Sequence, residues 1–369
     1  MIGGHGGNIY RLAHQLECQP ADISDMSANV NPLGPMPALI DYLGTRLSAI
    51  AVLPEVDAGR MIGAFSHCYD LDPRQVMAGN GTTELIYLIP RALGAKKALV
   101  IGPTYADYQD ACTMNRVACD HFICRESDHF IPDFAAIRQK AAAVDLVFIC
   151  NPNNPTGVLV DRSVLHDLCR ALPDTVFVID ESYLPFAPIP EEVSLIASNL
   201  PNVLVLNSMS KAFRIPGLRI GFVKGALDLI VQLRRYALPW SVNSLAQEAV
   251  QWLMTHPEPV NRFLASTRET IDEEKSRFEE WIHKESVIQC FPSATSFILM
   301  RLPEGLSAQT AWRHMAARRI LIRDCGNFVG LSETFIRISL KSSRENRRAV
   351  EQLIRLAHNP VDTEGEHER

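Results

Sequence analysis

Between about residues 75 and 225 the chain alternates short apolar, β-branched runs with helical patterns, and this alternation restricts its fold more than any other feature. The runs are Ala98-Leu-Val-Ile101, Leu146-Val-Phe-Ile149, Val176-Phe-Val-Ile179, Val203-Leu-Val-Leu206 and Ile220-Gly-Phe-Val223. Strand-helix-strand units in a largely parallel sheet are what such a pattern predicts. Several runs end directly in polar or turn residues. Open α/β sheets bind ligands outside the carboxyl ends of their strands, so a site is expected there.

A single hydrophobic core stops growing at about 250 to 300 residues, so a chain of 369 residues is expected to hold two domains. A helical stretch from about Pro257 to Lys284, rich in Glu, Arg and Lys on one face, reads as a connector. A second mixed unit follows, with strands Ser296-Phe-Ile-Leu-Met300, Ile320-Leu-Ile-Arg323 and Phe335-Ile-Arg-Ile-Ser339, and helices over 308–318 and 344–357. The expected division is an N-terminal arm (1–30) joining the small domain, a large domain (31–250), a small C-terminal domain (251–358) and a frayed, charged tail (359–369).

Charged residues make up 21% of the chain and the formal net charge is -6, which argues against nucleic acid or an anionic membrane surface as a partner. The N-terminus lacks the apolar core of a signal peptide and no run of about 18 uncharged apolar residues occurs. A cytoplasmic location is therefore expected. The nine cysteines are scattered, without CxxC spacing, and read as reduced thiols. Cys119, His121 and Cys124 lie close together but lack a fourth partner at a zinc-like spacing, so no metal site is expected.

Five motifs carry chemistry. In Ser208-Met-Ser-Lys211, with Arg219 following in Gly217-Leu-Arg-Ile-Gly-Phe222, a lysine is flanked by hydroxyls and a guanidinium. A lysine that forms a Schiff base with an aldehyde needs a lowered pKa, and a phosphate ester on that aldehyde needs the hydroxyls and the guanidinium. A solvated surface lysine is the alternative. Asn151-Pro-Asn-Asn-Pro-Thr-Gly157 follows the strand 146–149; it is either a plain rigid turn or one that aims the Asn154 amide at a ligand. Asp180, in Asp180-Glu-Ser-Tyr183, emerges at the same sheet edge, where an acid either caps a turn or keeps a pyridine nitrogen protonated. Ala78-Gly-Asn-Gly-Thr-Thr-Glu84 precedes a helical stretch, 85–93; its free N-H groups and the hydroxyls of Thr82 and Thr83 suit a phosphate, unless one of those threonines simply caps the helix. Tyr105, in Pro103-Thr-Tyr105, either stacks on a planar ring or belongs to the core rim.

Together and in this order, these motifs resemble the fold-type I pyridoxal 5'-phosphate (PLP) enzymes of the class I/II aminotransferase superfamily, over nearly the whole chain. The resemblance implies an α/β fold, with a large domain of mostly parallel sheet flanked by helices and a smaller α+β domain. It implies PLP as cofactor, with Lys211 as the Schiff-base lysine and Asp180 as partner of the pyridine nitrogen. Asn154 and Tyr183 would bond the ring hydroxyl and Tyr105 would stack on the ring. Gly81, Thr82, Thr83, Ser208, Ser210 and Arg219 would surround the phosphate, and Arg337 matches the superfamily's carboxylate-binding arginine. Lys211, Asp180 and Tyr183 are thus the expected catalytic residues.

Two branches share most of these motifs, the histidinol-phosphate aminotransferases and the threonine-phosphate decarboxylases of cobalamin synthesis. His5-Gly-Gly-Asn8, Ser27-Ala-Asn-Val-Asn-Pro-Leu-Gly34, Pro239-Trp-Ser-Val-Asn243 and Ile320-Leu-Ile-Arg-Asp-Cys-Gly-Asn-Phe328 are similar to the decarboxylases. Tyr183 departs from their pattern, which carries phenylalanine there, and matches the usual aminotransferase choice. The expected reaction is decarboxylation of L-threonine O-3-phosphate or of a related phosphorylated amino acid such as phosphoserine, with histidinol-phosphate transamination as the alternative. His5, Asn31, Arg323 and Arg337 are the candidates for holding the substrate's anionic groups. The resemblance also implies a homodimer in which the stretch 42–60 reaches the neighbour. A non-catalytic module is the reading from another class, but such a module has no need of Lys211, Asp180, Asn154 and Arg219 together.

Overall fold

The computed structural model describes residues 8–358, so the expected tail at 359–369 lies outside the described residues. The N-terminal segment contributes one short strand, β1 (Ser24–Asp25). Seven strands then form the main sheet: β2 (Val76–Asn80), β3 (Lys97–Gly102), β4 (Ala118–Ile123), β5 (Leu146–Cys150), β6 (Val176–Asp180), β7 (Val203–Ser208) and β8 (Ile220–Gly225), in the order β2-β8-β7-β6-β5-β3-β4. All pairings among β3 to β7 are parallel, whereas β8 runs antiparallel to both β7 and β2. Strand β2 lies where the sequence suggested only a glycine-rich loop; it contains no β-branched residue after Val76, and pairing with β8 makes it a strand.

The apolar runs are continuous because both faces of this sheet are covered. Along β5, Leu146 and Phe148 enter one core and Val147 and Ile149 the other. Strand β7 divides in the same way, with Leu204 and Leu206 on one side and Val203 and Val205 on the other. Each of these side chains is almost fully shielded, and burying one contributes roughly 1.5–3 kcal/mol.

The helix Pro257–Glu285 leads into a second sheet, built from β9 (Gln289–Cys290), β10 (Phe297–Arg301), β12 (Arg323–Asp324) and β13 (Phe335–Ser339), all antiparallel, while β11 (Ile320–Leu321) pairs in parallel with β1. The run 320–323 was expected to be one strand. It is divided because its first half takes the N-terminal segment as partner and its second half takes β13. The fold is therefore α/β of the fold-type I kind: a seven-stranded, mostly parallel sheet with helices, and a small antiparallel domain.

Candidate active site

The direction of the strands explains why distant motifs meet. The carboxyl ends of β2, β7, β6, β5 and β3 share one edge, and because β8 is antiparallel its amino end lies there too, with Gly221 opposite Ser208 and Ile220 opposite Asn80. Arg219 immediately precedes β8 and so arrives beside Gly81, the first residue of the helix Gly81–Ala92. Adjacent strands lie about 4.8 Å apart. Across the edge the order of side chains is thus Gly81, Arg219, Ser208 with Lys211, Asp180 with Tyr183, Asn154 and Tyr105.

One cavity is lined by Gly81, Thr82, Thr83, Tyr105, Asn154, Asp180, Tyr183, Ser208, Ser210, Lys211 and Arg219, all of them expected from sequence, and also by Tyr108, Cys150 and Ser182. Its phosphate-suited end depends on two glycines. Gly81 has φ +77°, and a Cβ on it would sit 2.4 Å from Nη2 of Arg219. A Cβ on Gly221 would sit 2.3 Å from the backbone nitrogen of Thr82, so only glycine lets β8 approach the start of the helix. That helix has no side-chain cap, which rules out Thr82 or Thr83 as the cap and leaves N-H groups of its first turn directed outward. Glu84 instead accepts a hydrogen bond from the backbone of Asn80.

At the centre, Asp180 is buried and accepts hydrogen bonds from Tyr108 Oη (2.8 Å) and from the backbone nitrogen (3.0 Å) and hydroxyl of Ser182. Burial raises its pKa, and the Ser182 and Tyr108 bonds and nearby Lys211 oppose the rise. Tyr108 was missed from sequence; it lies on the first turn of the helix Asp107–Met114, stacked on Phe148, and its apolar surroundings look like ordinary core. Lys211 stands on the short helix Met209–Ala212, its pKa lowered to about 8 by burial and then by Arg219 and Arg337, with Asp180 and Asp107 pulling the other way. The turn after β5 is held by its other asparagines: Asn151 bonds both backbone groups of Val160, and Asn153 bonds the Pro103 carbonyl and both threonines, Thr104 and Thr156. Asn154 is left to face the cavity, where its Oδ1 accepts from Arg337.

Above this cavity lies a vestibule lined in part by Ser27, Asn29, Tyr105, Tyr183, Arg323, Phe328 and Arg337. Arg323 and Arg337 are directly opposite each other across β12 and β13. Arg337 is buried, donates to the Ser27 carbonyl at 2.8 Å, and leaves its Nε without a hydrogen-bond partner. Burial lowers the pKa of both guanidiniums.

Asn31, expected at the substrate, does not reach the vestibule. It is completely buried, its Nδ2 donating to the Ala212 carbonyl (2.7 Å) and to Thr267 (2.8 Å) while its Oδ1 accepts from the Leu33 nitrogen, so its capacity is used in anchoring the lysine-bearing helix. Asn29 occupies the position at the vestibule instead. His5 lies outside the described residues. Among the described residues no group of three metal-ligating side chains occurs, and Cys119 and His121 lie on strand β4 as half-buried sheet residues.

The family model for aminotransferase class I and II matches residues 60–353. The chain belongs to this family. Among similar proteins, the threonine-phosphate decarboxylase of Salmonella typhimurium is 30% identical over 356 residues, covering 95% of each chain. The crystal structure of L-threonine-O-3-phosphate decarboxylase from Porphyromonas gingivalis superposes with a TM-score of 0.81 at 30% identity, over 90% of this chain and 99% of that one. That of histidinol-phosphate aminotransferase from Clostridium acetobutylicum superposes with a TM-score of 0.83 at 26% identity, over 90% and 99%. The chain is thus a PLP-dependent enzyme of the class I and II aminotransferase family, and the cavity has the groups that cofactor requires: a depressed lysine, a buried carboxyl and a cationic, glycine-lined end. Among the described residues no helix is long and apolar enough to cross a membrane.

Proposed function

We propose that this enzyme decarboxylates L-threonine O-3-phosphate, or a related phosphorylated amino acid such as phosphoserine, in cobalamin biosynthesis. The observation that carries the reading is the register of Arg323 opposite Arg337. Like charges directly opposite on paired strands are destabilising, and here both are partly or wholly withdrawn from water. A substrate with a carboxylate and a phosphate supplies an anion for each. The names of similar decarboxylases support the same reading.

In this reading Gly81, Thr82, Thr83, Ser208, Ser210 and Arg219 hold the cofactor phosphate. Asp180 faces the ring nitrogen, Asn154 and Tyr183 face the ring oxygen, and Tyr105 covers the ring. PLP, when bound, supplies an electron sink for the pair released from a Cα bond. The protein decides which bond breaks by orienting the substrate, and Arg323 and Arg337 supply that orientation. With a pKa near 8, Lys211 carries a usable neutral fraction around neutral pH and can move a proton at Cα. The vestibule is the route by which substrate reaches it.

Tyr183 favours a second reading, histidinol-phosphate transamination. One experiment separates the two: PLP-loaded protein is given L-threonine phosphate, or histidinol phosphate with 2-oxoglutarate, while CO2 and glutamate are followed. CO2 released without any keto acid supports the decarboxylase; glutamate made from histidinol phosphate without CO2 release overturns it. We further propose a homodimer formed through the exposed apolar side chains of Leu47, Ile50, Val52 and Leu53 together with Leu238 and Trp240; a monomeric mass in sedimentation at micromolar concentration would refute this.

A further inference from the structure

Strand β13 has two unlike faces. Ile336 and Ile338 enter the apolar core, whereas Arg337 and Ser339 are buried against the N-terminal segment. Arg337 donates to the Ser27 carbonyl, and the Ser339 backbone nitrogen donates to the Met26 carbonyl at 2.8 Å. These bonds set Asn29 between Ser339 and Tyr183. Ser339 Oγ donates to Asn29 Oδ1 at 2.6 Å, and Asn29 Nδ2 donates toward Tyr183 Oη at 3.4 Å. All three residues are largely shielded, with Asn29 and Tyr183 bordering the vestibule, so these bonds form where access of water is reduced.

The order of donors matters more than the bonds themselves. A serine hydroxyl that donates to the amide oxygen holds the amide with its nitrogen toward Tyr183. The tyrosine oxygen then accepts on that side, and its one proton has to be directed elsewhere. Tyr183 lines the cofactor cavity, which is the open side. We infer that Ser339 and Asn29 are positioning residues that turn the Tyr183 hydroxyl proton toward the ring oxygen of the cofactor. This rests on the proposed contact between Tyr183 and that ring oxygen, and is independent of whether the reaction is decarboxylation or transamination. The same hydroxyl also faces Arg337, Asp180 and the Cys150 thiol, all of which remain in place in the variants below.

The test uses N29A, N29D and S339A, each made in the native protein and in a Y183F background. The readouts are PLP affinity of the apoenzyme by equilibrium dialysis and the pH midpoint of the visible cofactor band in the loaded protein, with thermal melting as the folding control. N29A is expected to weaken PLP about threefold to tenfold, as for one lost hydrogen bond, and to move the band midpoint. N29D should be worse than N29A, because a carboxylate accepts from Tyr183 and draws its proton out of the cavity. S339A, which frees the amide to rotate, should act in the same direction and more weakly. In the Y183F background these effects should disappear, apart from the shift N29D causes there by its charge. Equal effects of N29A in both backgrounds, or N29D milder than N29A, overturn the inference. If Y183F alone changes neither affinity nor midpoint, the Tyr183 contact itself is wrong, and the inference falls with it.

Discussion

Replacing the site lysine should stabilise the empty protein, and by an amount that depends on pH. Lys211 ionises near 8 in the fold against 10.5 for an ordinary lysine, chiefly because of burial and the neighbouring Arg219 and Arg337. At 1.36 kcal/mol per pH unit, that gap corresponds to about 3 kcal/mol of unfavourable charge below pH 8. Part of the side chain stays open to the cavity, so 2–3 kcal/mol is the expected range, roughly. Linkage gives the sign. Below pH 8 the lysine is charged in both folded and unfolded chains and the fold bears the full penalty. Between about pH 8 and 10.5 the folded form loses its proton first, the unfolded chain holds more protons, and stability rises with pH. Above 10.5 the penalty is gone. Methionine fills nearly the same volume without the charge, so K211M apoprotein should melt about 5 °C above the native apoprotein at pH 7, at about 2 °C per kcal/mol for a large domain. The difference should shrink as pH rises toward 10. Melting of the two apoproteins across that range, by calorimetry at fixed protein concentration, is the assay. A K211M protein that is less stable at pH 7, or a difference that ignores pH, refutes the reasoning.

The other perturbations address the ends of the site. Removing the less buried partner of the arginine pair by R323A should raise the substrate KM by about tenfold to a hundredfold, the loss of one charge-assisted bond, with the cofactor absorbance retained; unchanged kinetics would show that Arg323 touches no substrate. G81A places a methyl group against Arg219 in a backbone conformation that disfavours it, and PLP affinity should fall at least about tenfold; equal affinity in equilibrium dialysis would separate Gly81 from the phosphate. Y108F removes a bond that holds down the Asp180 pKa, so the carboxylate should be lost at higher pH on acidification, and the acid limb of the turnover profile should move to higher pH. A limb that stays in place would remove Tyr108 from the electrostatics of the site.

Most of the cavity lining could be read from the chain because its parts are local. Each of the residues Tyr105, Asn154 and Asp180 follows an apolar run by a few positions, and the end of a strand is visible wherever such a run meets a turn residue. The glycines at 81 and 221 mark close approaches whose partners only the fold identifies. Tyr108 was hidden because an aromatic residue three positions after Tyr105 on a helix looks like core until the carboxylate of another strand arrives beside it.

The substrate side was less legible, and the two asparagines show why. Asn29 and Asn31 are the same residue type two positions apart in an extended segment, equally suited by chemistry to bind an anion. What separates them is that the Ala212 carbonyl and Thr267 surround Asn31, while Ser339 and Tyr183 meet Asn29. Those partners come from more than 150 residues away along the chain.

Hydrophobic periodicity and turn chemistry in the sequence itself determined most strands of the main sheet and the order of the motifs, since each depends on neighbours within a few residues, and the cofactor followed from the family resemblance that those motifs carry. The antiparallel course of β8 that delivers Arg219, the register that sets Arg323 against Arg337 and the pinning of Asn29 were decided only by tertiary structure. Strand direction and register are properties of a pair of segments, and the free energy that selects them comes from burying both faces of the assembled sheets rather than from either segment alone.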